Sequence, residues 1–173
     1  MSYTIDASGN KNFYKINYNG FTNQLGDSFS TEDLKGKICI ANFFFTRCPS
    51  ICPPMRTELI SIAETFSEEN NIMIISHTID PKHDSVSVLK TYAEATGIPT
   101  NKWQFIRASE EHTKRQAKSY MTNFKPNEDG SDFYHSSFVA LVDQKQQIRG
   151  FYNVLIKEEL ERLKTDVNYI LHQ

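Results

Sequence analysis

Phe43-Phe44-Phe45-Thr46-Arg47-Cys48-Pro49-Ser50-Ile51-Cys52-Pro53-Pro54-Met55 is where an apolar run breaks off into two cysteines and three prolines. Consecutive apolar residues bounded by turn signals predict a strand buried on both faces, as in a sheet covered by helices. Ile38 to Phe45 fits such a strand. A residue before proline is pushed out of the α region, so Pro53 and Pro54 are expected to keep Cys52 extended and to let a helix begin only at Pro54 or just before it. Met55, Leu59, Ile62, Ala63 and Phe66 then recur at helical spacing. Cys48 and Cys52 therefore belong to a strand-to-helix loop at the positive end of an amphipathic helix, with Arg47 beside Cys48, a setting that favours anionic sulfur.

Working outward, 173 residues suffice for one domain, read as 1–173, with a core that needs no disulfide framework. A formal net charge of -2 with interspersed signs gives no electrostatic case for nucleic acid or an anionic membrane. The longest apolar run carries Asn42 and is far short of the roughly 20 residues that a membrane helix needs. The chain as given reads as soluble, and attachment to a membrane would require an anchor that this chain does not carry.

Upstream, Phe13 to Tyr18 alternates and Asn19-Gly20 is a hairpin signal, with a second turn at Gly26-Asp27. A small N-terminal hairpin is the expectation. Ser30 or Thr31 can cap a helical turn through Leu34. Downstream, Ile72 to Ser76 is a second apolar strand ending in Thr78-Ile79-Asp80-Pro81. Asp84 or Ser85 caps a helix with Val88, Leu89, Tyr92 and Ala93 on one face, stopped by Gly97. Trp103 to Arg107 is a third strand. Ser109 caps a helix burying Ala117, Tyr120, Met121 and Phe124, which Pro126 and the polar 127–132 stretch end. Strands at Ser137 to Val142 and Ile148 to Tyr152 read as a hairpin. The last helix carries Leu160, Leu163, Val167, Ile170 and Leu171.

Strands alternating with helices, then a hairpin and a helix, give an α/β three-layer sandwich with a central mixed sheet and helices on both faces, in thioredoxin-like order. Ligands of such sheets gather at the C-terminal strand ends, where the cysteine loop, Thr78 to Pro81 and the loop before Ser137 converge. That puts His135 near the thiols. Two cysteines separated by three residues can approach one metal ion or one another. A soft, low-coordinate ion such as Cu(I) prefers such thiolates, and an imidazole from His135, 83 residues beyond Cys52, would complete the site. Approach to one another would make a reversible disulfide.

The remaining candidates have plainer readings. Cys39, inside the buried strand, reads as a small core residue. His77 at a strand end could face the site but reads as solvated, and His83, His112 and His172 read as surface residues. Asp80 is taken as a structural carboxylate that caps its loop through backbone N–H groups, or as a partner for a metal ligand.

Three segments, Phe43 to Pro53, Ile75 to Pro81, and His135-Ser136-Ser137-Phe138, together resemble the Sco/SenC family in order and spacing, over nearly the whole chain. The resemblance implies a thioredoxin-like fold, an anchor or signal placing the protein outside the cytoplasm, and delivery of copper to the dinuclear centre of cytochrome c oxidase. It maps copper ligands onto Cys48, Cys52 and His135. The implied partners are the oxidase's copper-bearing subunit and a copper donor or thiol reductant. The rival readings are a thiol-disulfide oxidoreductase acting on the oxidase's copper-site cysteines, and a thiol redox sensor. Three residues between the cysteines, and His135-Ser136 where a reductase carries a cis-proline, favour metal over reductase.

Overall fold

The computed structural model describes residues 3–9, 11–122, 125–126, 133–134 and 136–173. Its centre is strand β5 (Ile38–Phe44), every residue of which is buried, because sheet neighbours flank it and helices cover both its faces. It pairs in parallel with β6 (Ile72–Thr78), which pairs in parallel with β7 (Trp103–Arg107), while β10 (Phe138–Val142) lies antiparallel on the other side of β5. With β3 (Phe21–Asn23), β4 (Ser28–Phe29) and β11 (Ile148–Asn153), the seven-stranded order is β11-β10-β5-β6-β7-β3-β4. This is the mixed sheet that the alternation of strands and helices predicts.

Alternation along the strands divides two cores. Asn42, Phe44, Ser76, Trp103 and Phe105 face Met55 and Leu59 of α1 (Cys52–Thr65) and Tyr92 of α2 (Val86–Glu94). Tyr152 of β11 reaches Asp166 of α4 (Lys157–Leu171). On the opposite face, Phe43 and His77 meet Tyr120, which caps α3 (Glu110–Ser119). Apolar burial of this kind stabilises by about 1.5–3 kcal/mol per large side chain. Truncating fully buried Leu59 to alanine would cost about 2–5 kcal/mol.

Helix ends follow the cap signals in part. Ser85 and Ser109 accept the Val88 and His112 N–H groups, and Gly97 ends its segment at φ +71. The Ser30 N–H donates to Asp33 at the start of a 3-10 turn, Thr31–Leu34. On the α3 side, Ala117 and Tyr120 are buried as expected, but Met121 adopts φ +54 and is exposed, because the helix has already ended at Ser119. Phe124 lies outside the described residues. Val88 also points outward from α2.

Two local expectations are corrected. The helix α1 starts two residues before Pro54, at Cys52, which is therefore not extended: Ile51 is already helical at φ -88, ψ -24, and accepts the Met55 N–H at 3.1 Å. Prolines are tolerated there because first-turn N–H groups have no helical acceptor to lose. Cys52 is thus a helical residue. The N-terminal hairpin pairs β1 (Tyr3–Ile5) with β2 (Lys11–Phe13), and a second one joins β3 to β4 across Gly26. Asn19-Gly20 closes neither. Ile16 and Lys15 instead bridge to Gln146 and Gln147 beyond β10, and Tyr18 exchanges hydrogen bonds with Thr31. Gly20 turns the chain, at φ +73, toward β3. Two short strands, β8 (Lys125–Pro126) and β9 (Phe133–Tyr134), pair just before the β10 strand.

Candidate functional site

The register of β5 on β6, with Phe44 opposite Thr78, sets their C-terminal loops side by side. Two carboxylates tie the loops together. Asp84, fully buried, accepts the Thr46 N–H at 3.2 Å and the Thr46 and Thr78 hydroxyls, both at 2.5 Å. Asp80 accepts Arg47 Nε at 2.8 Å and His83 Nδ1 at 2.9 Å. Arg107 fixes the same loop from β7, donating to the carbonyls of Asp84 and Pro81. The residues immediately before Cys48 are thus pinned on both sides.

Cys48 follows a tight turn in which its N–H donates to the Phe45 carbonyl at 3.2 Å, and its sulfur lies 3.7 Å from the Ser50 hydroxyl. Cys52 opens α1. The two residues are 6% and 4% exposed, so a reacting group must approach closely to touch either sulfur. All three cysteines carry thiols. Beneath Cys52 lies a cavity of about 10 Å³ lined by Asn42, Ser76, Arg56, Tyr92 and Trp103, the size of a single water site. A polar chain crosses its floor, with Trp103 Nε1 donating to the Ser76 hydroxyl and that hydroxyl to Asn42 Oδ1.

His135 lies outside the described residues, and among those described no group of three or more His, Cys, Asp and Glu is arranged to hold a metal ion. The pair of sulfurs itself suits a soft ion. Arg47, expected beside Cys48, is committed to Asp80, whose carboxylate holds the side chains of Arg47 and His83 where a cap on backbone N–H groups was expected. Asp84 was legible only as a helix cap. Ser85 makes that cap, and Asp84 anchors the cysteine loop instead, a partnership across 38 residues that no local pattern signals.

His77 is a further correction. It points away from the cysteines into the second core, fully buried between Phe43, at 4.5 Å, and Tyr18, at 5.5 Å. Burial lowers its pKa to about 4, partly offset by the hydrogen bond between Nδ1 and the Asn42 carbonyl at 2.9 Å. Strand alternation explains this: Ser76 and Thr78 face the α1 side, so His77 must face the other. Cys39 is 1% exposed, and burial pushes its thiol up to about 12, in keeping with a core role.

The SCO1/SenC family model matches residues 8–170. A SCO1/SenC family lipoprotein from Bacillus anthracis superposes with TM-score 0.82 at 27% identity, covering 92% of this chain and 95% of its own. BsSco, described with a disulfide switch and as a member of the Sco family of cytochrome c oxidase assembly proteins, superposes at 0.78 with 30% identity over 90% and 92% of the two chains. Yeast Sco1 with copper bound gives 0.71 at 25% identity over 90% and 88%. These structures share the thioredoxin-like architecture described above, and with the match of the family model along almost its whole length, this chain belongs to the SCO1/SenC family.

Proposed function

We propose that this protein is a metallochaperone that binds copper through Cys48, Cys52 and His135 and hands it to the dinuclear copper centre of cytochrome c oxidase. The observation that carries the reading is the pair of buried thiols, Cys48 on a loop pinned by Asp84 and Asp80 and Cys52 at the head of α1, in a family that includes copper-bound yeast Sco1. Two thiolates and an imidazole are a soft donor set for Cu(I), and the imidazole extends it to Cu(II). Copper is here the cargo. The acceptor is the copper-bearing subunit of the oxidase, and loading comes from a copper donor protein. The whole chain, 1–173, acts as one domain, and it works outside the cytoplasm, a placement supported by the lipoprotein relative. No helix among the described residues is long and apolar enough to cross a membrane.

The same pair is redox-active in this reading: oxidation to a disulfide releases two electrons and two protons and removes both sulfur ligands. A reductant thiol is then the second partner. The disulfide switch of BsSco supports this property, and it also supports a second reading in which the pair reduces the oxidase's own copper-site cysteines.

The test measures Cu(I) and Cu(II) affinity together with disulfide-exchange rate. The reduced protein should bind one copper, and the oxidised protein none. His135→Ala should weaken Cu(I) moderately, because two thiolates can still hold it linearly, and should lose Cu(II) far more completely while keeping disulfide exchange. Stoichiometric copper on a Cys48→Ser/Cys52→Ser double variant would overturn the chaperone assignment. Unchanged affinity of His135→Ala for both copper states would remove His135 from the site and favour the reductase.

A further inference from the structure

Of the six arginines in the chain, five donate to carboxylate or carbonyl oxygens: Arg47, Arg107, Arg115, Arg149 and Arg162. Arg56 differs. Among the described residues no carboxylate pairs with it, and its guanidinium lies over the Tyr92 ring, 4.9 Å from the centroid. One turn beyond Cys52 on α1, it lines two spaces at once. Inward it borders the cavity beneath Cys52, and outward it borders an open groove of about 470 Å³ between α1 and α2. The groove wall adds the hydroxyl-bearing Thr46, Ser87 and Thr91 and the apolar Val88, and no acidic residue. Its volume falls in the range of small-ligand sites, about 300–1,000 Å³.

A half-buried guanidinium without an acid partner, placed over an aromatic ring and flanked by hydroxyls, has the chemistry to take a carboxylate. Tyr92 connects the groove to the sulfurs. Tyr92 and Arg56 line both the groove and the small cavity that Cys52 also lines, so this pair forms the wall shared by the groove and the cysteine end of α1.

We propose that the α1–α2 groove is a binding site for carboxylate-bearing small thiols, with Arg56 holding the carboxylate and directing the ligand sulfur to the Cys48–Cys52 pair. The site defines the reductant class left open by the redox reading above, on which its physiological meaning rests. The ligand thiolate attacks one sulfur of the Cys48–Cys52 disulfide, forming a mixed disulfide and releasing the other sulfur as a thiolate. A second ligand thiolate then attacks the ligand sulfur of that mixed disulfide. The products are the reduced pair and one ligand disulfide, with the two electrons coming from the two ligand thiols.

The groove can be tested on the reduced protein, without copper or a disulfide. Iodoacetate and iodoacetamide transfer the same methylene to sulfur with loss of iodide, and differ only in carrying a carboxylate or an amide. Their alkylation rates at Cys48 and Cys52, counted by mass spectrometry, are taken as a ratio and compared with the ratio for an unstructured cysteine peptide. The native protein should favour iodoacetate about fivefold over the peptide at low salt, a preference that shrinks as salt is added. Arg56→Met should return the ratio to the peptide value, and Arg56→Lys should restore most of it. If Arg56 only packs against Tyr92, both reagents will slow or quicken together in Arg56→Met and the ratio will stay fixed, which overturns the proposal. Absence of reaction with either reagent in the folded protein overturns it as well, since the groove then offers no path to sulfur. A parallel measurement, reduction of the oxidised protein by 3-mercaptopropionate against 2-mercaptoethanol at matched thiolate concentration, should show the same Arg56-dependent preference. If no Cys48–Cys52 disulfide forms, the redox reading fails, while the alkylation ratio still decides whether the groove selects carboxylates.

Discussion

His77→Phe should remove the part of this fold's acid sensitivity that comes from burying a neutral imidazole. The imidazole has a pKa near 6.5 in the unfolded chain and about 4 in the folded one, because burial disfavours its cationic form. A folded-state value depressed in this way means that the unfolded chain binds the extra proton first. Stability is therefore intact above pH 6.5 and is lost as the pH falls toward 4. With about 1.4 kcal/mol per pH unit of difference, the native state loses about 1 kcal/mol from this group between pH 7 and pH 5.5, and about 3 kcal/mol by pH 4. The surroundings do not blur the reading. The titratable side chains packed on His77 are Tyr18 and Tyr120, whose hydroxyls bond to each other and whose pKa values burial raises, so neither changes charge in acid. Phe43 and Phe21 complete the box. Urea unfolding at pH 7, 5.5 and 4 gives the free energy of each variant, and the quantity of interest is the difference in slope with pH, which cancels any change in packing caused by phenylalanine. Parallel curves for the native protein and His77→Phe across that range would refute the argument.

Asp84→Ala leaves the Thr46 N–H and two threonine hydroxyls without their acceptor, so it should cost about 3 kcal/mol in thermal or denaturant unfolding, whereas Ser85→Ala, which loses one exposed cap bond, should cost about 1 kcal/mol. Cys39 should resist thiol reagents at pH 8 in the native protein and react only after unfolding, and Cys39→Ala should leave copper binding unchanged, as judged by thiol titration and metal analysis. Trp103, the single tryptophan, lines the same cavity as Cys52, so its fluorescence should change with one equivalent of copper in the native protein and not in Cys52→Ser.

Much of the architecture was legible because it depends on contiguous pattern. The consecutive apolar residues of Ile38–Phe44 and Ile72–Thr78 can be accommodated only by strands covered on both faces, and the β7 strand matches its expected bounds at both ends. What escaped depends on partners distant in sequence. Asn19-Gly20 has the composition of a hairpin turn, yet Ile16 and Tyr18 find better partners in Gln146 and Thr31, over 100 residues away in the first case. His77 looked solvated at a strand end, but β6 runs one residue past it and the parity of the strand sends it inward. Proline statistics suggested an extended Cys52, and a helical first turn with no N–H bonds to lose overrode them. The two cysteines themselves needed no structure to be noticed. Their anchoring by Asp84, and the Arg56 groove beside them, did.

On the metallochaperone reading proposed above, the pinning of Thr46 by Asp84 also bears on how cargo would leave. A metal site on a floppy loop lets go when the loop opens, and its release rate then follows chain motion. Here three hydrogen bonds from the loop and its neighbour converge on one carboxylate that solvent does not reach, so the entropy of ordering the segment before Cys48 is settled during folding rather than on loading. In such a cradle, an ion held by the sulfurs as proposed would depart through replacement of its donors one at a time by those of an incoming partner. Unloading would then depend on acceptor concentration and not on a conformational clock, the kinetic behaviour that keeps a toxic ion from escaping into water.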